Sequence, residues 1–283
     1  MKLSSIKILF HEELSELYSK SEIEELFSIF AEHFLNLNKI ELRNRLENNL
    51  SESDSNKFSK AILELKTGKP FQQITGETEF YGLKFFINEH VLIPRPETEE
   101  LLELAIRKIQ EKSKKNQGLK ILDIGTGSGI IPIVLKKHFP EAEVSAIDIS
   151  SEALEIAKRN AEFHQVKINF INEDYLNKNL NEVYDVINSN PPYIGIEENP
   201  EIEDSVKVFE PNLALFSPTS DALIFYRKIA EDCKNHLSEN GLLFLEINQK
   251  LGQATLDLYQ NHFSESYLLK DISGNDRFIY AIK

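Results

Sequence analysis

The sequence predicts an α/β protein, with a seven-stranded, mostly parallel sheet, flanking helices, and a small N-terminal helical domain joined by a β-hairpin. Three observations lead there. The first 67 residues show helical periodicity and no strand-like alternation. After Gly68-Lys69-Pro70 the chain turns aromatic and β-branched, with Gly76 and Gly82 between short runs, as in a hairpin. From Leu101 onward, helical and strand-like segments alternate, the pattern of parallel strands with crossover helices.

Each element has its own signal. Ser21-Glu22-Ile23-Glu24 reads as a capping box, and Ile23, Leu26, Phe27, Phe30 and Phe34 follow at helical spacing. Ser51 to Asp54 is a similar cap ahead of Phe58, Ile62 and Leu65. The predicted strands are 120–124, 143–147, 167–171, 183–188, 241–247, 266–270 and 278–282. Helices are expected over 97–112, 129–138, 151–164, 221–238 and 251–263. The domains this implies are a helical bundle at 1–67, a hairpin and linker at 68–92, and an α/β domain at 93–283.

Composition excludes several classes. Of the 283 residues, 41% are hydrophobic and 28% charged, which is globular rather than disordered. No apolar run approaches the ~20 residues of a membrane-spanning helix, and MKLSSIKILFHEEL lacks a signal-peptide cleavage site. The single Cys233 fits a reducing, cytoplasmic setting. The scattered histidines form no ligand spacing with it, so no metal is expected. With 32 Lys and Arg against 46 Asp and Glu, the net charge of −14 disfavours binding to phosphate backbones. The one dense basic cluster, Lys112, Lys114 and Lys115, reads as a solvated loop or helix end.

ILDIGTGSGI leaves a predicted strand and opens a predicted helix. Gly125, Gly127 and Gly129 allow a tight turn and close ligand approach, with Thr126 and Ser128 between them. The dinucleotide fingerprint needs a small residue where Ile130 stands, so a nucleoside carrying an amino-acid tail suits the loop better than a pyrophosphate. Asp148 ends the next strand, 23 residues beyond Gly125, where an acid accepts ribose hydroxyls; it also suits the start of the following helix. Asp174 and Tyr175 follow the third strand, as adenine contacts or as ordinary loop residues.

SNPPYIG follows the fourth strand, at the carboxyl edge where open α/β sheets bind ligands. By itself Asn-Pro-Pro-Tyr is also a turn sequence. In this setting it suits transfer to a planar nitrogen, whose delocalised lone pair makes it a poor nucleophile that must be aimed. The Asn190 side-chain oxygen accepts one N–H, and the Pro191 carbonyl accepts the other, stiffened by Pro192. Tyr193 offers a flat face. Neither Asn nor Tyr is a base at neutral pH, so binding and electrostatic stabilisation are expected rather than proton abstraction.

GTGSG, AIDIS and NPPY in this order resemble class I S-adenosylmethionine-dependent methyltransferases acting on planar nitrogens. VLIPRPETEEL at 91–101, ITGETEFYG at 74–82, EPNLALF at 210–216 and DISGNDR at 271–277 narrow the resemblance. They are similar to the peptide chain release factor N(5)-glutamine methyltransferases, the PrmC/HemK family. The resemblance runs from about Gly68 to the end, and implies a Rossmann-like sheet binding S-adenosyl-L-methionine and releasing S-adenosyl-L-homocysteine. It places Gly125, Thr126, Gly127, Ser128 and Gly129 along the methionine part, Asp148 on the ribose and Tyr175 near the adenine. Asn190, Pro191, Pro192 and Tyr193 would hold the glutamine of a Gly-Gly-Gln loop, with Asn190 also beside the cofactor. Asn190, Pro191 and Tyr193 are the catalytic candidates. Pro94, Arg95 and Glu97 belong to a segment over the cofactor, although Arg95 also reads as a structural ion pair. Asn248, in LEINQKLGQ, stands where the family commonly has glycine.

The implied partners are release factors, gripped by the helical domain and the hairpin, with no direct nucleic-acid contact and no membrane. The main competing function is an N-methyltransferase for adenine or guanine amino groups in DNA or rRNA. Such an enzyme must also hold a charged backbone and, in duplexes, flip a base. A nicotinamide oxidoreductase is opposed by Ile130, and a non-catalytic protein has no use for both loop and NPPY.

Overall fold

The computed structural model describes residues 1–112, 118–195, 198 and 204–283; Lys114 and Lys115 lie outside them. Two compact units divide the chain, Met1–Glu77 and Thr78–Lys283.

The first unit is helical: α1 (Leu3–Leu14), α2 (Lys20–Leu35), α3 (Lys39–Asn44), α4 (Glu52–Lys66) and α5 (Phe71–Thr75). The helices close over Phe10, Phe27, Phe30 and Phe58, all buried, with Phe10 and Phe27 edge to face at 5.6 Å. Emptying such a position to alanine costs about 3–5 kcal/mol. The cap of α2 is Ser19 rather than Ser21, with Ser19 and Glu22 forming the reciprocal box. Both serines stand three residues before a glutamate, and the earlier pair wins because Glu24 is taken by Lys7 and His11. Ser51 caps α4 as expected. The surprise is α5, inside a segment whose aromatic character suggests strand. Gly76 ends α5 in the left-handed conformation instead of punctuating a hairpin.

The true hairpin is β1 (Glu77–Phe80) and β2 (Leu83–Phe86). Tyr81 and Gly82, at φ 52° and 67°, make the tight turn between them. Residues of VLIP then run without strand pairing into α6 (Pro96–Lys112).

The large sheet alternates β3 (Lys120–Ile124), α7 (Ile130–His138), β4 (Glu143–Asp148), α8 (Ser151–Phe163), β5 (Asn169–Asn172) and β6 (Tyr184–Ser189). After the short helices α9 (Asp204–Phe209) and α10 (Asn212–Leu215) come α11 (Ile224–His236), β7 (Leu237–Glu246), α12 (Gly252–Asp257), β8 (Glu265–Lys270) and β9 (Asp276–Ile282). The strand order is β5-β4-β3-β6-β7-β9-β8. Pairs from β5 through β7 are parallel, and β9 is antiparallel to both β7 and β8. Each predicted strand is present within a few residues. The helix expected over 251–263 is instead a 3-10 turn plus the short α12, and α9 and α10 were not foreseen.

The sheet has an apolar layer on each face. One gathers Leu101, Leu102 and Ala105 of α6 with Ile133 and Val134 of α7. The other gathers Tyr226 and Ile229 of α11 with Tyr259 and Leu243. Strands buried on both faces read as apolar runs. Order reverses between β3 and β6, so the loops after these two strands diverge and leave a crevice at their carboxyl ends.

Candidate active site

Loops after β3, β4, β5 and β6 converge on that crevice. A cavity of about 650 Å³ is lined by Gly125, Thr126, Gly127 and Ser128, by Asp148, by Tyr175, and by Asn190 and Pro192. Its size suits a small-molecule cofactor, for which pockets of about 300–1,000 Å³ are usual. A second cavity of about 300 Å³ is lined by Asn190, Pro191, Tyr193 and Glu246. The two share Leu92, Arg95, Asn190 and Ala214. Asn190 thus stands at their junction.

The glycine loop is built around positive φ. Gly125 and Gly127 sit at 73° and 55°, and a Cβ on either would meet no atom within 4 Å. They present open backbone to the cavity. Gly129 differs from expectation and is not among the lining residues. A Cβ there would lie 2.9 Å from Ala157 Cβ, so this glycine lets α7 start against α8.

Asp148 accepts from Gly127 N–H at 2.8 Å and from Ser150 N–H at 2.9 Å, one bond to each oxygen. Burial pushes its carboxyl above the usual range, while those N–H groups pull it down. A carboxylate has about four acceptor sites, so room is left for two hydroxyls. Asp174 caps a 3-10 turn through Leu176 N–H and also accepts from Asn177. Tyr175 is more buried than a stacking platform would be, at 4% exposure. Its hydroxyl donates to Asp232 at 2.8 Å, and the Lys228 ammonium lies 5.1 Å from its ring centre. Burial raises the Tyr175 phenol well above its ordinary value. Tyr175 therefore contributes a fixed wall rather than an open ring face.

Below the loop, Asp123 on β3 pairs in register with Asn188 on β6. Asn188 Nδ2 donates to Asp123 Oδ1 at 3.2 Å. Asp123 Oδ2, Asn188 Oδ1 and Thr126 Oγ1 are buried with no well-formed partner among the described residues. Burial lifts the Asp123 carboxyl to about 6. Open glycine backbone, an acceptor at the end of β4 and Thr126 on the cavity wall together fit a nucleoside cofactor with a charged tail.

The segment over the cavities is tied down at several points. The buried Glu210 accepts from Ile93 N–H at 2.9 Å and from Arg95 Nη2 at 2.5 Å, so Arg95 is an ion-pair partner that also lines both cavities. Ile194 pairs with Phe216, which places the end of EPNLALF alongside the residues after NPPY. Asn248 donates to the Tyr193 carbonyl at 3.3 Å and to Glu198 at 2.7 Å, and caps the turn that follows it.

Two residues at the cavities escaped sequence reasoning, Thr98 on the larger and Glu246 on the smaller. Thr98 is the polar member of the buried stripe Thr98, Leu101, Leu102, Ala105, Ile106 and Ile109 on α6. Glu246 is an acid inside the apolar run LLFLEI, 1% exposed. Each was visible as a polar residue at a core position. Burial raises the Glu246 carboxyl above its ordinary value, against hydrogen bonds from Thr98 and Tyr193 and the positive charge of Arg277. Burial likewise raises Tyr193, which donates to Glu246 Oε1 at 3.2 Å. No group of three or more His, Cys, Asp or Glu that could hold a metal occurs among the described residues, and no helix there is long and apolar enough to cross a membrane.

Comparison with known proteins adds the family. Residues 10–76 match the PrmC N-terminal domain and residues 103–206 the Methyltransferase small domain. A T. thermophilus 16S rRNA methyltransferase, solved with AdoMet and guanosine, superimposes with a TM-score of 0.51 at 17% identity, over 73% of this chain and 49% of that one. A methyltransferase from Pyrococcus furiosus gives 0.50 at 18% identity, over 80% and 97% of the two chains. These two share the fold. The release factor glutamine methyltransferase of Flavobacterium psychrophilum is 45% identical over 99% of this chain and 98% of its own. That of Streptococcus pneumoniae is 38% identical over 99% and 98%. With likeness of that degree along almost its whole length, the chain belongs to the release factor glutamine methyltransferase family.

Proposed function

We propose that this protein methylates the side-chain amide nitrogen of the glutamine in the Gly-Gly-Gln loop of peptide chain release factors. S-adenosyl-L-methionine would supply an electrophilic methyl group and leave as S-adenosyl-L-homocysteine. The observation that carries the reading is Asn190, which lines the larger, cofactor-sized cavity and the smaller one together.

In this reading Asp148 holds the ribose, and the backbone of Gly125 to Ser128 lies along the methionine part. Gly129 supports the loop from behind. The smaller cavity receives the glutamine. Asn190 Oδ1 and the Pro191 carbonyl accept its two N–H hydrogens, which fixes the amide plane and aims the nitrogen. These acceptors also stabilise positive charge growing on that nitrogen during transfer. Pro192 stiffens the carbonyl, and Tyr193 packs against the amide. The unit Met1–Glu77 and the β1–β2 hairpin would grip the release factor body, and the reaction belongs in the cytoplasm without nucleic-acid or membrane contact.

The test is incubation with methyl-labelled S-adenosylmethionine and unmodified release factor, DNA and rRNA. Label on the Gly-Gly-Gln glutamine, located by mass spectrometry, is the expected result. Label in nucleic acid alone would instead establish the amino-group nucleobase reading.

A further inference from the structure

Asn190 accepts an N–H only if its amide is turned with the oxygen toward the substrate. The two ends of an asparagine amide have nearly the same size, so shape does not choose between them; hydrogen bonds must. Asn190 Nδ2 lies 3.3 Å from Thr98 Oγ1. Thr98 Oγ1 in turn donates to Glu246 Oε2 at 2.7 Å.

The direction of this chain follows from proton counting. Glu246 faces two hydroxyls, Thr98 on α6 and Tyr193 after β6, with Arg277 of β9 nearby and Glu97 opposing it. Tyr226 of α11 donates to the Glu246 main-chain carbonyl at 3.0 Å and holds the strand end. Burial raises the Glu246 carboxyl above its ordinary value, but each of its oxygens accepts from a hydroxyl, Oε2 from Thr98 at 2.7 Å and Oε1 from Tyr193 at 3.2 Å, so both face donors. The single hydroxyl proton of Thr98 is therefore committed to Glu246, and only lone pairs remain for Asn190. The NH2 end of Asn190 must face Thr98, because the reversed amide would oppose two acceptors. Oδ1 is left for the cavities that Asn190 lines.

We propose that Thr98 and Glu246 are positioning residues that lock the Asn190 amide oxygen toward the substrate, making the site select an amide over a carboxylate. With Asn190 Oδ1 and the Pro191 carbonyl both acceptors, a glutamine offers two matching donors. A glutamate of the same shape offers only oxygens and meets acceptor against acceptor. Rejection on such grounds is strong, because the buried polar groups are left unpaired. The inference rests on reading NPPY as the holder of the glutamine amide.

The experiment compares wild type with Thr98→Val and Thr98→Ser. It measures turnover on release factor, S-adenosylmethionine affinity by calorimetry, and inhibition by release factor carrying glutamate in place of the Gly-Gly-Gln glutamine. Thr98→Val should lower kcat roughly 10-fold, the equivalent of a hydrogen bond of typical strength. Its cofactor Kd should stay within about threefold, since no charged contact is lost. The preference for the glutamine over the glutamate factor should shrink by roughly 10-fold, because Asn190 can then turn its NH2 outward. Thr98→Ser keeps the hydroxyl and should restore kcat and preference. Thr98→Ala, which also removes the hydroxyl without adding bulk, provides the same readout if Thr98→Val does not fold. An unchanged preference in folded variants overturns the proposal, whether or not kcat falls. Absence of glutamine methylation by wild type overturns the functional reading beneath it.

Discussion

The Arg95 guanidinium reaches Glu210 at 2.5 Å, joining residues 115 positions apart beside the two cavities that Arg95 lines. The partners are unequal, since the Arg95 side chain is 36% exposed and that of Glu210 1%. Arg95 can turn to water if the pair breaks, whereas the Ile93 N–H that Glu210 also accepts is buried and cannot.

Glu210→Ala should therefore cost about 1–3 kcal/mol, the penalty of an unsatisfied buried group. Denaturant unfolding measures it. Arg95→Ala should cost less in stability, yet both variants should raise KM for release factor by freeing the segment over the smaller cavity. Equal destabilisation by the two would contradict the assignment.

Glycines of the loop should separate by function. Gly129→Ala places a Cβ 2.9 Å from Ala157 Cβ and 3.1 Å from its Cα, at φ 78°. Overpacking should cost about 1–3 kcal/mol on top of backbone strain of about 1–2 kcal/mol. Gly125→Ala, at φ 73° with no atom within 4 Å, carries the strain alone but sets a methyl in the cofactor cavity. Thermal melts should rank Gly129→Ala as less stable. Calorimetry should show a large loss of cofactor affinity for Gly125→Ala, although it is the better folded of the two.

Asp123 makes stability depend on pH. Its folded value of about 6 lies above the ordinary 3.8 because of burial. A carboxyl raised in the folded state holds its proton there longer than in the unfolded chain, so stability falls as pH rises between the two values. The shift of about two units corresponds to roughly 3 kcal/mol. Unfolding free energies of cofactor-free protein at pH 4 and pH 7.5 should show this loss in wild type and not in Asp123→Asn. Equal pH slopes in the two proteins would refute the buried charge.

Much of this site was legible because its parts are contiguous. GTGSG, AIDIS and NPPY are loop and strand-end motifs whose chemistry follows from backbone freedom and from single side chains at the sheet's carboxyl edge. The resemblance extended that reading to the substrate. Thr98 and Glu246 were not legible as a pair, since they meet over 148 residues and only the sheet brings them together. Asn248 was noticed only as a departure from the family, and its hydrogen bonds to Tyr193 and Glu198 exist only in the folded chain. Helix α5 was missed because Phe71 and Ile74, partly buried, pack against the helical unit's core, and that tertiary contact overrides their strand-like character.

Asp148→Ala should weaken S-adenosylmethionine binding before it affects chemistry. The loss of charge-assisted hydrogen bonds worth about 1.5–3 kcal/mol predicts a Kd roughly 10- to 150-fold weaker. Turnover at saturating cofactor should fall far less. The alanine also deprives Gly127 and Ser150 N–H of their acceptor, so a small drop in melting temperature should accompany the change.

Asn190 decides the account. Cofactor affinity by calorimetry and single-turnover methylation of release factor should be measured together on Asn190→Ala. The prediction is a rate lowered roughly 100-fold or more, as when one electrostatic partner of a reacting group is removed, with cofactor affinity within about threefold of wild type, because no charged contact to the cofactor is lost. A variant whose cofactor affinity collapses in step with its rate, or whose rate is unchanged, would contradict the claim that Asn190 holds the accepting nitrogen.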